Sequence, residues 1–233
     1  MSVQMFALPY AGGSASIYRD WCDTMKPVVD VYPIEYAGRA GRFNQCFFHS
    51  IEDAAEDISE TIIRQHQGDY VIYGHSMGCA VALETTFVLK RKKAVLPKAI
   101  IVAANRPPHL RYKGIQLGEM SKEELLKEIV SRGQFEKEIL ECEELLEIIS
   151  DILFSDIQIL SKYKRHFQEG TLNIPILALA GDADEDAPSS DMLEWGKYTT
   201  GDFDFHIFHG GHFFAFNENE DFIKYMLQYI ESL

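Results

Sequence analysis

Short apolar runs alternate with longer amphipathic segments along most of this chain. The runs that predict strands have the length and composition of buried strands, and they cover residues 3–8, 31–35, 70–74, 99–103, 173–180 and 203–208. Between them apolar residues recur at helical spacing, most clearly after Ser50, where one predicted face carries Ile51, Ala54, Ala55, Ile58, Ile62 and Ile63. Strands that alternate with helices predict an α/β fold with a mostly parallel central sheet flanked by helices.

Residues 121–167 interrupt this alternation with acidic, helical sequence that lacks a strand pattern. Ser121 and Glu124 have the spacing of a capping box at the start of a helix. An all-helical insertion between strands of a parallel sheet is typical of a lid over the strand ends. We therefore expect a single domain over residues 1–233, with a core of residues 1–105 and 168–233 and a helical lid over 106–167.

The composition excludes some classes of binding partner but does not identify a reaction. The 233 residues carry a net charge of −14, which argues against binding to nucleic acid or to an anionic membrane. The sequence has no signal-peptide pattern and no apolar stretch of transmembrane length. Its four cysteines are scattered, as reduced thiols of a cytoplasmic protein would be, and no zinc spacing or phosphate-binding loop occurs. We expect a cytoplasmic monomer without metal or cofactor.

The most informative stretch is Gly74-His75-Ser76-Met77-Gly78. A predicted strand precedes it and a predicted helix follows it, so the G-x-S-x-G pattern lies in a tight strand-to-helix turn. Such a turn presents the hydroxyl of Ser76 above the end of the sheet as a nucleophile. Glycines at 74 and 78 would avoid clashes with neighbouring backbone. A small-residue turn that serves only close packing is the alternative interpretation.

A serine hydroxyl needs a base within hydrogen-bond reach and an acid that orients the base. For the base we favour His212, which follows Gly210-Gly211 directly after the last predicted strand. His209 is its competitor. His75 is the neighbour of the nucleophile and points elsewhere in such a turn, and His206 lies inside a strand, where packing is the simpler role.

The acid is expected between the serine and the histidine in the chain, in the loop after the strand that ends near Gly181. Asp182, Asp184 and Asp186 all lie there. We favour Asp184, the third residue past the glycine. For Asp182 and Asp186 the alternative is a role as ordinary turn residues.

Acyl transfer also requires donors for the oxyanion that develops on the carbonyl. The backbone N–H of Met77, directly after the nucleophile, is one candidate. The second should come from the glycine-rich loop after the first strand, through the backbone N–H of Tyr10 or Ala11.

Taken together, the order of these motifs resembles that of type II thioesterases, the stand-alone α/β-hydrolases that accompany nonribosomal peptide and polyketide synthases. The resemblance spans nearly the whole chain, through residues 9–13, 38–42, 74–78, 106–109, 181–184 and 210–213. Two positions depart from the family pattern, which commonly has Pro where Ala37 stands and Phe or His where Tyr10 stands. Neither departure affects the proposed nucleophile, base or acid.

The resemblance implies hydrolysis of acyl or aminoacyl groups held on the phosphopantetheine arm of a carrier protein. It implies that Ser76, Asp184 and His212 form the triad, that Tyr10 and Met77 form the oxyanion hole, and that residues 106–167 are the lid. A general carboxylesterase or lipase would use the same triad, and a non-catalytic binding partner of a synthase would use only the fold. These two alternatives remain open from the sequence.

Carrier proteins are usually acidic, so an acidic enzyme needs a local basic patch for docking. The candidates are Arg39 with Arg42, residues 90–93, and Arg111 with Lys113. For Arg39 and Arg42 an ordinary exposed loop is the simpler expectation. For residues 90–93 cations that complement the end of a helix are the simpler expectation.

Overall fold

The computed structural model of the chain describes residues 2–110, 117–131, 141–216 and 220–233. Within these ranges one sheet has the strand order β2-β1-β3-β4-β5-β6, and all neighbouring strands are parallel. The strands are β1 (Val3–Leu8), β2 (Val29–Pro33), β3 (Tyr70–His75), β4 (Ile100–Ala103), β5 (Ile176–Gly181) and β6 (Phe203–Phe208). The predicted α/β fold is confirmed, with β3 near the centre of the sheet.

Helices connect the strands and flank the sheet. They are α1 (Arg19–Thr24), α2 (Ile51–Gln65), α3 (Met77–Arg91), α4 (Lys122–Ser131), α5 (Glu143–Lys162), α6 (Ser189–Met192) and α7 (Glu220–Glu231). A 3₁₀ turn, Ala15–Tyr18, leads directly into the short helix α1. The turn begins there because the Ser14 side chain accepts a hydrogen bond from the Ser16 amide.

Both faces of the sheet are covered, as in other parallel sheets. Alternate residues of β3 point to opposite faces: Ile72 packs in a core shared with α2 and α3, and Tyr73 packs in a second core shared with α1 and α7. Helix α3 is buried from Met77 to Leu89. Ile63 of α2 was expected in the core, and this prediction is wrong: its position beside Ile62 turns it outward, and it is 37% exposed.

The insertion between β4 and β5 carries α4 and α5. These helices pack on one another through a small separate core of Leu125, Ile129, Leu153 and Ile157, and Ala11 of the loop after β1 packs against it. The capping box at the start of α4 is present, with Ser121 N–H donating to Glu124 Oε2 at 2.8 Å. Residues 111–116 and 132–140 of the predicted lid, including Arg111 and Lys113, lie outside the described residues.

All four cysteines lie within the described ranges, and none is joined in a disulfide. Among the described residues, no helix combines the length and the apolar character that crossing a membrane requires.

Candidate active site

Ser76 occupies a strained turn between β3 and α3. Its backbone angles are φ 52° and ψ −118°, a conformation that costs a non-glycine residue roughly 1–3 kcal/mol. The turn is this tight because backbone packs directly on backbone: a Cβ on Gly74 would lie 2.3 Å from Gly78 O, and one on Gly78 would lie 2.3 Å from Leu8 O. The Asn105 side chain holds the turn by donating to Ser76 O at 2.8 Å.

Three of the predicted site residues form one hydrogen-bonded chain. His212 Nε2 lies 3.0 Å from Ser76 Oγ, and His212 Nδ1 lies 3.0 Å from Asp184 Oδ2. Because a carboxylate only accepts, Nδ1 carries the proton and Nε2 is left to accept from the serine hydroxyl. This is the tautomer that a general base for Ser76 requires.

The Asp184 carboxylate is fixed on both of its oxygens. While Oδ2 faces His212, Oδ1 accepts the backbone N–H groups of Asp186 at 3.0 Å and Ala187 at 3.2 Å. Burial by itself would raise the pKa of Asp184. The hydrogen bond and charge of His212, together with the two amides, outweigh burial and hold the pKa below its ordinary value. Asp184 is therefore ionised at neutral pH and can stabilise a positive charge on the imidazole.

The competing residues are occupied elsewhere. The His209 side chain is 96% exposed, and its Nδ1 lies 3.0 Å from Asp182 Oδ2, so these two form a separate surface pair. Asp182 also accepts the Gly210 amide at 2.9 Å and so links the loop after β5 to the loop after β6. The His206 ring stacks on Tyr225 with centroids 4.1 Å apart, as a packing residue would.

His75 has a positioning contact that the sequence did not reveal. Its Nε2 lies 2.8 Å from the backbone oxygen of His212, and its Nδ1 lies 3.2 Å from the Tyr73 hydroxyl. A carbonyl only accepts, so Nε2 donates and Nδ1 accepts from Tyr73. Burial, and then the nearby charge of His212, lower the pKa of His75 to about 3. The ring is therefore neutral at physiological pH and anchors the loop that carries His212.

The two candidate oxyanion donors lie at the same edge of the sheet as Ser76. Leu8 of β1 pairs with Gly74 of β3, so Tyr10 and Ser76 each follow a paired position by two residues. Met77 is the first residue of α3, where backbone N–H groups point out of the helix and favour negative charge. The Tyr10 ring packs edge-on against neighbouring aromatic rings, so its backbone is the part suited to bind an oxyanion.

The described residues contain one group of side chains with the spacing of metal ligands: Asp184, Asp186 and His212, with ligand atoms within 4.8 Å of one another. Two of the three are already joined by the hydrogen bond between Nδ1 and Oδ2. His212 Nδ1 and Asp184 Oδ2, two of the atoms that a metal ion would bind, are therefore already used to orient the imidazole.

The candidate docking cations within the described ranges do not form a free basic surface at this site. Arg39 is 2% exposed and forms an ion pair with Asp156, so the suggestion that it contacts a partner is wrong. Arg42 forms two hydrogen bonds with Asp57, at 2.7 and 2.9 Å. Residues 90–93 lie at the far end of the 15-residue helix α3, about 22 Å from Ser76 at 1.5 Å per residue.

Comparison with known proteins agrees with this geometry. Residues 3–228 match the thioesterase domain family. The chain belongs to the thioesterase family. It is a thioester hydrolase of the serine hydrolase type, and a helical insertion beside a hydrogen-bonded Ser76, His212 and Asp184 suits that chemistry.

The similarities extend over the full chain. Thioesterase PikA5 of Streptomyces venezuelae is 31% identical over 214 residues, which are 91% of this chain and 75% of PikA5. The crystal structure of ClbQ from the colibactin NRPS/PKS pathway superimposes with a TM-score of 0.91 at 29% identity, covering 100% of this chain and 98% of ClbQ. BorB, the type II thioesterase from the borrelidin biosynthetic cluster, gives 0.87 at 25% identity, covering 99% and 93%. The resemblance to type II thioesterases is confirmed.

Proposed function

We propose that this thioesterase edits a nonribosomal peptide or polyketide synthase by hydrolysing acyl and aminoacyl thioesters from the phosphopantetheine arm of its carrier proteins. The observation that carries the proposal is the unbroken hydrogen-bonded chain from Asp184 through His212 to Ser76. It lies in a chain that is alike over its whole length to ClbQ, a protein of an NRPS/PKS pathway.

In the first half-reaction the Ser76 hydroxyl attacks the thioester carbonyl while His212 Nε2 takes the hydroxyl proton. Asp184 stabilises the imidazolium that forms, and the backbone N–H groups of Tyr10 and Met77 bind the developing oxyanion. The C–S bond then breaks, His212 returns the proton to the departing sulfur, and the acyl group remains on Ser76 as an ester.

In the second half-reaction His212 removes a proton from water, and the water attacks the acyl-enzyme carbonyl. The same two N–H groups bind the second oxyanion. The ester bond to Ser76 breaks, the serine oxygen regains a proton from His212, and the free acid leaves. Both half-reactions are completed by side chains and backbone of this chain and by water, so we propose a mechanism without metal or cofactor.

The proposed partner is a carrier protein that presents its arm to the sheet edge where Ser76 lies. Of the basic candidates for docking, the pair Arg111 and Lys113 remains a prediction, because it lies outside the described residues. We propose further that the enzyme acts as a monomer in the cytoplasm. A net charge of −14 makes long-range attraction to an acidic carrier unfavourable, so local contacts must orient the complex.

Intact mass spectrometry of an acyl-loaded carrier tests the proposal directly. Wild-type enzyme should convert the acyl form to the free-thiol form, and Ser76→Ala, checked for folding by circular dichroism, should not. Hydrolysis of a nitrophenyl ester with an unchanged carrier would instead indicate a general esterase. Failure of Ser76 to react with a fluorophosphonate, together with an unchanged carrier, would indicate a non-catalytic binding protein.

A further inference from the structure

A buried ion pair joins the loop after β2 to the insertion helix α5. Arg39 Nη2 lies 2.6 Å from Asp156 Oδ1, and Arg39 Nη1 lies 2.7 Å from Asp156 Oδ2. Each side chain is only 3% exposed. Two parallel charge-assisted hydrogen bonds fix the relative orientation of both groups as well as their distance.

Both partners also hold the backbone of the loop after β1. Gly12 N–H donates to Asp156 Oδ2 at 2.8 Å, and Arg39 Nη1 donates to Gly13 O at 2.9 Å. The approach to α5 is close: Gly12 has φ +82°, and a Cβ there would lie 3.2 Å from Leu153 Cδ1. The C-terminal half of this loop is therefore fastened to the insertion helix.

The N-terminal half of the same loop is fastened to the core. The Tyr18 hydroxyl donates to Leu8 O at 2.7 Å, and the Tyr36 hydroxyl donates to Pro9 O at 3.1 Å. Tyr10 thus lies between two anchors of different kinds. The anchor before it belongs to the core of the domain, and the anchor after it depends on α5.

We propose that Asp156 and Arg39 are positioning residues that hold the loop at residues 10–13 in its oxyanion-binding geometry when α5 is packed against it. The inference rests on the proposed function, because it assigns the Tyr10 amide to the oxyanion formed at Ser76. Displacement of α5 would remove the acceptor of the Gly12 amide and the counter-ion of a buried guanidinium. The oxyanion hole is therefore complete only with the insertion helix in place.

Asp156→Asn tests the inference, and Asp57→Asn is its matched control. Asp57 likewise accepts two hydrogen bonds from an arginine of the same segment, Arg42, but it belongs to the core helix α2. Loss of one oxyanion donor typically lowers kcat about 100- to 1,000-fold, so a displaced donor should lower it about 10- to 100-fold. We expect that fall for Asp156→Asn with KM changed less than about threefold, and no such fall for Asp57→Asn.

A charge-free pair of substitutions separates positioning from stability. Asp156→Asn leaves a buried guanidinium without its counter-ion, which by itself destabilises a protein. Arg39→Met with Asp156→Leu removes both charges and should recover Tm. The kcat should nevertheless be low, because this pair, unlike Asp156→Asn, leaves no side-chain oxygen to accept the hydrogen bond of Gly12 N–H. Arg42→Met with Asp57→Leu is the control. Recovery of kcat together with Tm, or equal kcat for Asp156→Asn and Asp57→Asn, would overturn the inference.

The rate of Ser76 phosphonylation by a fluorophosphonate keeps this test independent of the thioester substrate. The phosphonyl oxygen uses the same two N–H donors, so the rate should fall for Asp156→Asn and not for Asp57→Asn. If wild type is labelled but hydrolyses no thioester, the proposed function fails and the labelling rates alone judge the inference. If the variants hydrolyse thioester and are labelled at the wild-type rate, the inference fails and the proposed function stands.

Discussion

Replacement of Asp184 by asparagine is the most discriminating single change at the site. Asp184 Oδ1 accepts two backbone amides, and Oδ2 accepts the Nδ1 proton of His212. An asparagine that keeps its oxygen on the two amides must turn its NH₂ group toward His212. Nδ1 then becomes the acceptor, the proton moves to Nε2, and the imidazole can no longer take the proton of Ser76.

The magnitude follows from that change of tautomer. In serine hydrolases the same change in the acid of a triad lowers kcat about 10⁴-fold. At 1.36 kcal/mol for each factor of ten this is about 5.4 kcal/mol of transition-state stabilisation. The Asp184 side chain is only 1% exposed, so water cannot replace its hydrogen bond to His212 and a loss of that size is expected. KM should change little, since the acid does not touch the substrate in this mechanism.

Release of thiol from a short acyl thioester, followed with a thiol reagent, measures this prediction. Asp182→Asn is the matched control in the same loop, because Asp182 pairs with the fully solvated His209 and should alter kcat less than about twofold. Thermal melts of both variants monitor folding. A milder loss for Asp184→Asn than for Asp182→Asn or Asp186→Asn would refute the assignment of the acid.

Two further predictions concern the turn around Ser76. Gly74→Ala should lower the free energy of unfolding by about 3 kcal/mol, because its Cβ would meet Gly78 O at 2.3 Å. At Gly41 a Cβ meets nothing within 4 Å, so Gly41→Ala should be near neutral in the same chemical denaturation experiment. Burial lowers the pKa of His75 from 6.5 to about 3. Between these two pH values His75 is protonated in the unfolded chain but not in the folded chain. The free energy of unfolding therefore decreases as the pH falls through that interval. His75→Gln removes this contribution, so its Tm should fall less steeply than that of wild type between pH 6.5 and 4.5; parallel curves would contradict the burial argument.

The features that the sequence predicted well are those set by local constraints. β1 and β6 have the predicted bounds, because an apolar or alternating run with a clear turn after it leaves little choice. The helix start at Ser50 is also confirmed, with Asp53 N–H donating to Ser50 Oγ at 3.0 Å. The Asp53 carboxylate in turn accepts the backbone N–H of His49, at 3.0 Å.

The features that it missed depend on contacts between distant parts of the chain. Arg39 was expected in an exposed loop, yet Asp156, 117 residues away, neutralises it and allows its burial. The contact of His75 with the backbone of His212 spans 137 residues. Local periodicity carries no information about such pairs, since either residue alone has an ordinary solvated alternative.

The most direct measurement of the central claim compares kcat/KM for three substrates that bear the same short acyl group: an acyl-carrier protein, the acyl-coenzyme A and the nitrophenyl ester. Ser76→Ala is the blank for each substrate. We expect a preference of at least about tenfold for the acyl-carrier protein over the other two, with all three activities lost in the blank. Preference for the nitrophenyl ester, or carrier hydrolysis that survives Ser76→Ala, would contradict the account.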